Sequence, residues 1–356
     1  MNPQLSVVAT SRNDEHGGHL LARMQLFVEG LSEQATRFGL PVELVLVEWN
    51  PPSDRPPLVE ALRWAPHEHF QPRVITVPPD VHQTFPHAEG LPLFQMIGKN
   101  VGIRRSTAPF VLVTNIDILF SDDLFDYLKA GLKPNSMYRV DRHDILAELG
   151  GPSLPSPAEC RALPVLREHR IDGLRYPQGR SAVARPRSAS ETRWPKSLAV
   201  KPALKELSRV TTAAWDRLVL PKLHTSGCGD FTLTSREVWN GLHGYPEWPA
   251  YSWSMDGVVL YQAFAAGIEM VNLPPPMVAF HLEHGEGSGW TPESSRLFDR
   301  LDAAGVPYLS TQDYRRLARK LVHGTRGFHA INGENWGLVS VEFADSRPKS
   351  STGGRS

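Results

Sequence analysis

Short apolar runs and helical stretches alternate through the first third of this sequence, and that rhythm narrows the fold more than any other property of the chain. Leu5 to Thr10 (LSVVAT) reads as a buried strand. Leu20, Met24, Phe27, Leu31 and Ala35 then recur at helical spacing between about residues 19 and 38. Val42 to Trp49 (VELVLVEW) is the next strand and Arg73 to Val77 the third. Pro92 to Ser106 reads as a helix, followed by Phe110 to Thr114 as a fourth strand. Short apolar strands separated by helices imply right-handed βαβ units. The expected fold is therefore α/β, a mostly parallel central sheet flanked by helices. At 356 residues the chain can hold one large domain or two smaller ones.

The periodicity fades between about residues 150 and 205. Pro152, Pro155, Pro157, Pro164, Pro177, Pro186 and Pro195 crowd together there with Arg180, Arg185, Arg187 and Arg193. Such a stretch reads either as a lid that orders on binding or as a disordered insertion or linker. Order returns with a strand at Asp230–Thr234, a helix from Met255 to Ala266 and a strand from Met277 to His281. Thr291 is a good N-cap with Pro292 behind it, opening a helix to about Ala304; another helix spans about Gln312 to Val322. The polar, Gly/Ser-rich end (SRPKSSTGGRS) reads as disordered. This divides the chain into a first half (1–145), an insertion (146–210), a second half (211–343) and a tail (344–356).

Lys+Arg and Asp+Glu both number 38, so zero net charge gives no reason to expect a nucleic-acid partner. The two cysteines, Cys160 and Cys228, lack metal-type spacing and read as reduced thiols. No signal peptide and no run of roughly 18 apolar residues is visible, so no integral membrane segment is expected. The expected location is cytoplasmic, at most peripheral to a membrane, although a chain trimmed of an anchor would read the same.

Four segments carry chemistry. Asn115-Ile116-Asp117 follows an apolar strand directly, and a carboxylate there faces the crevice where open α/β sheets bind ligands. Such an oxygen suits a hard divalent cation bridging two phosphates, although an Asp at a strand end also caps turns. Upstream, Gly98-Lys99-Asn100-Val101-Gly102-Ile103 offers Lys99 as a point charge for phosphate, with Gly102 permitting close helix-to-sheet approach. Gly227 to Asp256 contains the turn Gly244-Tyr245-Pro246, the aromatic residues Trp248, Tyr251 and Trp253, and finally Asp256. Aromatic faces suit sugar C–H surfaces, and a carboxylate opening a helix can accept a proton from a hydroxyl or simply favour the helix dipole. Last comes Phe280 to Trp290 (FHLEHGEGSGW), where His281 and His284 can converge only if the strand ends between them; Glu283 and Glu286 compete as oxygen ligands.

These four segments resemble GT-A glycosyltransferases in content and order. Asn115–Asp117 resembles their DxD motif with Asn in place of the first Asp. Gly98–Gly102 resembles the helix of family 2 enzymes that precedes it. The Gly227–Asp256 block is similar to the acceptor side of β-1,4-galactosyltransferases, with Met255 where their first acid stands. The resemblance implies a GT-A fold and transfer of a sugar from a nucleotide diphosphate sugar, UDP-linked, to a hydroxyl acceptor such as a glycan, with inversion. It implies Mn²⁺ or Mg²⁺ held by Asp117, His284 and His281, Asp256 as the base, and acceptor contacts from Tyr245, Trp248, Tyr251 and Trp253. Donor contacts would come from Thr10, Arg12, Asp14, Glu48, Asn50, Lys99, Asn100, Asn115 and Asp117. Two other readings remain open: a nucleotidyltransferase acting on a sugar phosphate, for which the acidic loop Arg12–Gly18 is poorly suited, and a non-catalytic carbohydrate-binding protein.

Overall fold

The computed structural model describes residues 2–177, 219–284, 296–324 and 330–349. Its main sheet is built on β1 (Leu5–Ser11), β2 (Val42–Trp49), β3 (Phe70–Val77) and β4 (Phe110–Val113), which lie side by side and parallel in the order β4-β1-β2-β3. Within each strand alternate residues serve opposite faces. Val7, Ala9, Leu44 and Leu46 join the core beneath the helix Leu20–Phe38, whereas Val8, Val45 and Val47 join the core beneath the helix Gln95–Arg105. Two covered faces explain why these strands set apolar residues on both sides, with charge such as Glu43 and Arg73 paired internally.

Beyond that block the sheet is mixed, which corrects the expectation of a mostly parallel one. After β4 the chain leaves to form β5 (Ile118–Phe120), then returns as β6 (Ser136–Arg139) and departs again through β7 (Asp141–Ile145), β8 (Val165–Arg170) and β9 (Gly173–Arg175). Only then does β10 (Thr232–Ser235) enter, antiparallel to both β4 and β6. β4 and β10 are antiparallel, so the handedness rule for parallel crossovers does not govern their pairing. β11 (Glu269–Asn272) lies parallel to β6 at one edge, and β13 (Ala344–Ser346) runs antiparallel to β3 at the other. A second, five-stranded sheet follows the order β5-β12-β7-β8-β9, where β12 is Val278–Leu282.

That second sheet absorbs part of the stretch read as a loop or lid. A capping box between Ser156 and Glu159 starts the short helix Pro157–Arg161, and β8 and β9 form a hairpin against β7. β8 (VLREHR) is too polar to announce itself, because its charged side chains find partners on β7 rather than in solvent. The rest of the insertion (178–210), Gly285–Trp290 with Glu286, the Thr291–Pro292 helix start and the last residues (350–356) lie outside the described residues. The tail expected from 344 begins instead as β13, and Arg105 gathers the approach to it by donating to the carbonyls of Gly337, Leu338 and Val341. Among the described residues, no helix is long and apolar enough to cross a membrane. Cys160 and Cys228 are both free and buried.

The close approach of the helix Gln95–Arg105 to the sheet depends on glycine. A Cβ on Gly102 would lie 2.5 Å from a methyl of Val8, and one on Gly98 would lie 2.5 Å from Oγ1 of Thr10. Gly241, in the helix Arg236–Leu242, has nothing within 4 Å of its would-be Cβ. Alanine should therefore act with opposite sign at the two sites. Gly241→Ala should stabilise by roughly 0.5–1 kcal/mol through helix propensity. Gly102→Ala should lose about 1 kcal/mol or more, because overpacking outweighs that gain. Urea unfolding of both variants checks the pair, and a stabilised Gly102→Ala would refute the tight contact.

Candidate functional site

The register of the second sheet assembles a cluster of metal-ligand type. β12 lies antiparallel to β5 with His281 opposite Ile118, which puts His281 beside Asp117 at the start of β5. The strand ends at Leu282, whose amide donates to the Asp117 carbonyl at 2.9 Å. Two residues beyond the strand end, His284 meets the same carboxylate: His284 Nε2 lies 3.3 Å from Asp117 Oδ2, and His281 Nε2 lies 3.7 Å from it. All three ligand atoms fall within 4.8 Å of one another. Sequence reading required a strand end between the two histidines, and the strand ends there.

The charges are arranged as an ion site needs. Burial alone would raise the Asp117 carboxyl, but His281 and His284 hold it well below the usual carboxylate range. Burial and Arg142 would lower His281, yet Asp117 and Asp144 keep its proton and raise it to about 10. Nδ1 of both histidines is buried without a hydrogen-bond partner, while both Nε2 atoms face Asp117. One carboxylate and two imidazoles on one side fit a divalent transition ion better than Mg²⁺, which prefers oxygen ligands throughout.

A loop from the first half closes over this cluster. Arg23, only 1% exposed, donates to the carbonyls of His16, Gly17 and Gly18, and its Nε faces Asp117 Oδ2 at 3.8 Å. Gly17, at φ +70°, sits so close to His284 that a Cβ there would lie 2.4 Å from its Nδ1. The signal for Arg23 was weak: one charged residue in an amphipathic helix that also carries Glu29, Glu33 and Arg37.

The second cluster surrounds Asp256, at the start of the helix Met255–Ala265. Gly229 leaves it room, since a Cβ there would lie 2.9 Å from Asp256 Oδ2. Burial pushes the Asp256 carboxyl up, opposed by Lys99, the Cys228 thiol and the Gly257 amide. Lys99 is wholly buried rather than facing an open crevice; its Nζ donates to Asn115 Oδ1 at 2.8 Å and the Gly229 carbonyl at 2.9 Å. Asn115 in turn donates to Asp230 Oδ1 at 2.6 Å and also accepts from Gln95. Asn115 and Lys99 therefore tie the strand-end turn to the Gly227–Asp230 turn. Arg139, buried beneath it, fixes the approach through the carbonyls of His224, Ser226 and Cys228.

Other residues expected at the site are engaged internally. Tyr245 is fully buried with its ring 5.1 Å from that of Trp239, so no face is open to a ligand. Asn100, also buried, brackets the same turn by donating to the Tyr245 carbonyl and accepting from its amide. Thr10 donates to the Val47 carbonyl, and Glu48 accepts from the Leu58 amide. Arg12, Asp14 and Asn50 stand at the strand-end rim, where Arg12 pairs with Asp14 and both Arg12 and Asn50 donate to the Pro92 carbonyl. Trp248, Tyr251 and Trp253 are half-buried against the core, with Trp253 edge-on to Phe298 at 5.3 Å.

Comparison with protein-family models and with curated proteins finds no match to this chain.

The triad makes a direct prediction. Asp117→Ala, His281→Ala and His284→Ala should each remove the rise in melting temperature seen at a Mn²⁺ concentration that just saturates the unaltered protein, since an ion that binds only the folded state stabilises it. A cation must displace the Nε2 proton of His281, which is held up to about 10. Affinity should therefore rise by about tenfold per pH unit for one proton released near neutrality. Calorimetric titrations at several pH values check this, and an affinity flat with pH would exclude His281.

Proposed function

We propose that this protein is a metal-dependent glycosyltransferase with a GT-A arrangement, transferring a sugar from a nucleotide diphosphate sugar, UDP-linked, to a hydroxyl acceptor such as a glycan. The observation that carries the reading is the placing of the Asp117–His281–His284 cluster immediately after the parallel block, two residues from Asn115, which binds the turn beside Asp256. Ligands of open α/β sheets bind outside the carboxyl ends of such strands. The rim residues Arg12, Asp14 and Asn50 border that position on the β1–β2 side.

Asp256 is suited to the acceptor side. A base works best when its pKa lies near the working pH, and burial moves this carboxyl in that direction. In a direct displacement, Asp256 takes the proton of the acceptor hydroxyl as that oxygen bonds to the anomeric carbon. The carbon–oxygen bond to the diphosphate breaks with its electron pair remaining on the diphosphate oxygen, and configuration inverts. A bound divalent ion, Mn²⁺ by the donor set, would neutralise charge on the leaving diphosphate as a Lewis acid. Half-buried Trp248, Tyr251 and Trp253 remain for the acceptor; Tyr245 does not.

A thermal-shift panel of nucleotides and sugar nucleotides, with and without Mn²⁺, tests the class, and absence of any Mn²⁺-dependent nucleotide shift would argue against it. Asp256→Asn should bind donor and metal normally yet lose transfer by at least about two orders of magnitude. Near-normal turnover by that variant would take the base role from Asp256.

A further inference from the structure

One carboxylate near the triad has no part in the chemistry above. Asp144, on β7, is completely buried, and parallel pairing of β7 with β12 sets it directly beside His281. Its Oδ1 lies 3.3 Å from Nδ1 of His281, on the side of the ring opposite Asp117. Three other groups hold it: Arg142 Nε at 2.9 Å, Arg167 Nε at 2.7 Å and His169 Nε2 at 3.1 Å. Arg142 reaches on to Asp230 and Arg167 to Glu283, so the carboxylate is pinned on a framework that spans both sheets. A metal-bound imidazole commonly donates its other N–H to a carboxylate, which fixes the tautomer and the ring orientation.

Given the cation reading of the triad, on which this rests, we infer that Asp144 is the positioning residue for His281: it receives the Nδ1–H and so turns Nε2 toward the ion beside Asp117. Nδ1 of His281 is buried with no hydrogen-bond partner elsewhere, and Asp144 Oδ1 is the carboxylate oxygen nearest to it, held in place from its other side by Arg142 Nε at 2.9 Å. Glu283 is the rival acceptor, but it lies farther from Nδ1, at 3.8 Å, and is engaged by Arg167. A purely structural charge hub would hold the fold without acting through His281.

The test is a double-mutant cycle read by calorimetric titration of Mn²⁺ into the full chain. Asp144→Asn should weaken Mn²⁺ roughly 10- to 100-fold, the usual effect of losing an outer-shell partner. In a His281→Ala background, studied at higher Mn²⁺, the same change should have almost no further effect. Equal losses in both backgrounds, or a loss that follows Glu283→Gln instead, would overturn the inference. If Asp144→Asn does not fold, the unaltered protein decides: with histidine ¹⁵N-labelled and Zn²⁺ added, His281 should carry a slowly exchanging proton on Nδ1. A proton on Nε2 in that state overturns it. Failure of the unaltered protein to bind either ion removes the triad reading itself, whereas binding without dependence on Asp144 removes only this role.

Discussion

β12 is wedged between β5 and β7, and the site depends on its register more than on any single contact. Antiparallel pairing sets His281 opposite Ile118 on one side, while parallel pairing sets it opposite Asp144 on the other. Side chains alternate along a strand, so a slip of one residue would send His281 to the far face and break contact with both carboxylates. The register is held from both ends. At one end the Ser121 amide donates to the Val278 carbonyl and the Ser121 hydroxyl accepts from the Val278 amide; at the other the Leu282 amide donates to the Asp117 carbonyl. The metal-type cluster is thus a by-product of a strand lying in one place.

Around that strand the protein keeps an unusual amount of charge out of water. Asp144, Arg142, Arg167, Asp230 and Lys99 form a chain in which each ion has a partner of opposite sign or a carbonyl. Burying charge is costly, and pairs of this kind add little net stability against an apolar alternative. Their use is orientation: removing one member strands the next, so the arrangement admits few alternatives. Residues such as Lys99 and Asn115, which invite a ligand when read from sequence, are consumed in this network. The Asn at position 115 makes sense here, because its amide donates to Asp230 while its carbonyl accepts from Lys99, which a second Asp could not do.

The parallel block was legible because each of its strands carries apolar residues on both faces, and β1 through β4 lie where the sequence rhythm puts them. The helix Gln95–Arg105 and the part of Gly102 in it were legible for the same reason, while the contact of Gly98 with Thr10 was not. The second sheet was not. β7 (DRHDI) and β8 (VLREHR) owe their burial to each other, and charged strands whose partners lie elsewhere in the chain carry no periodic mark. The convergence of Asp117, His281 and His284 could be anticipated from residue type and the break after Leu282. Asp144 and Arg23 could not, since their importance comes only from what folding brings beside them. Tyr245 and Asn100 misled because a turn built by side-chain hydrogen bonds uses the same residue types as a binding surface.

The pairing of β13 with β3 has a bearing on how the chain is made. Until residues 344–346 emerge from the ribosome, β3 presents an open row of backbone donors and acceptors at the margin of an otherwise complete parallel block. Bare edges of that sort recruit other strands, including those of neighbouring nascent chains. Synthesis of the first half is therefore followed by a long interval of exposure, ended by a three-residue cover and the Arg105 clasp that guides it home.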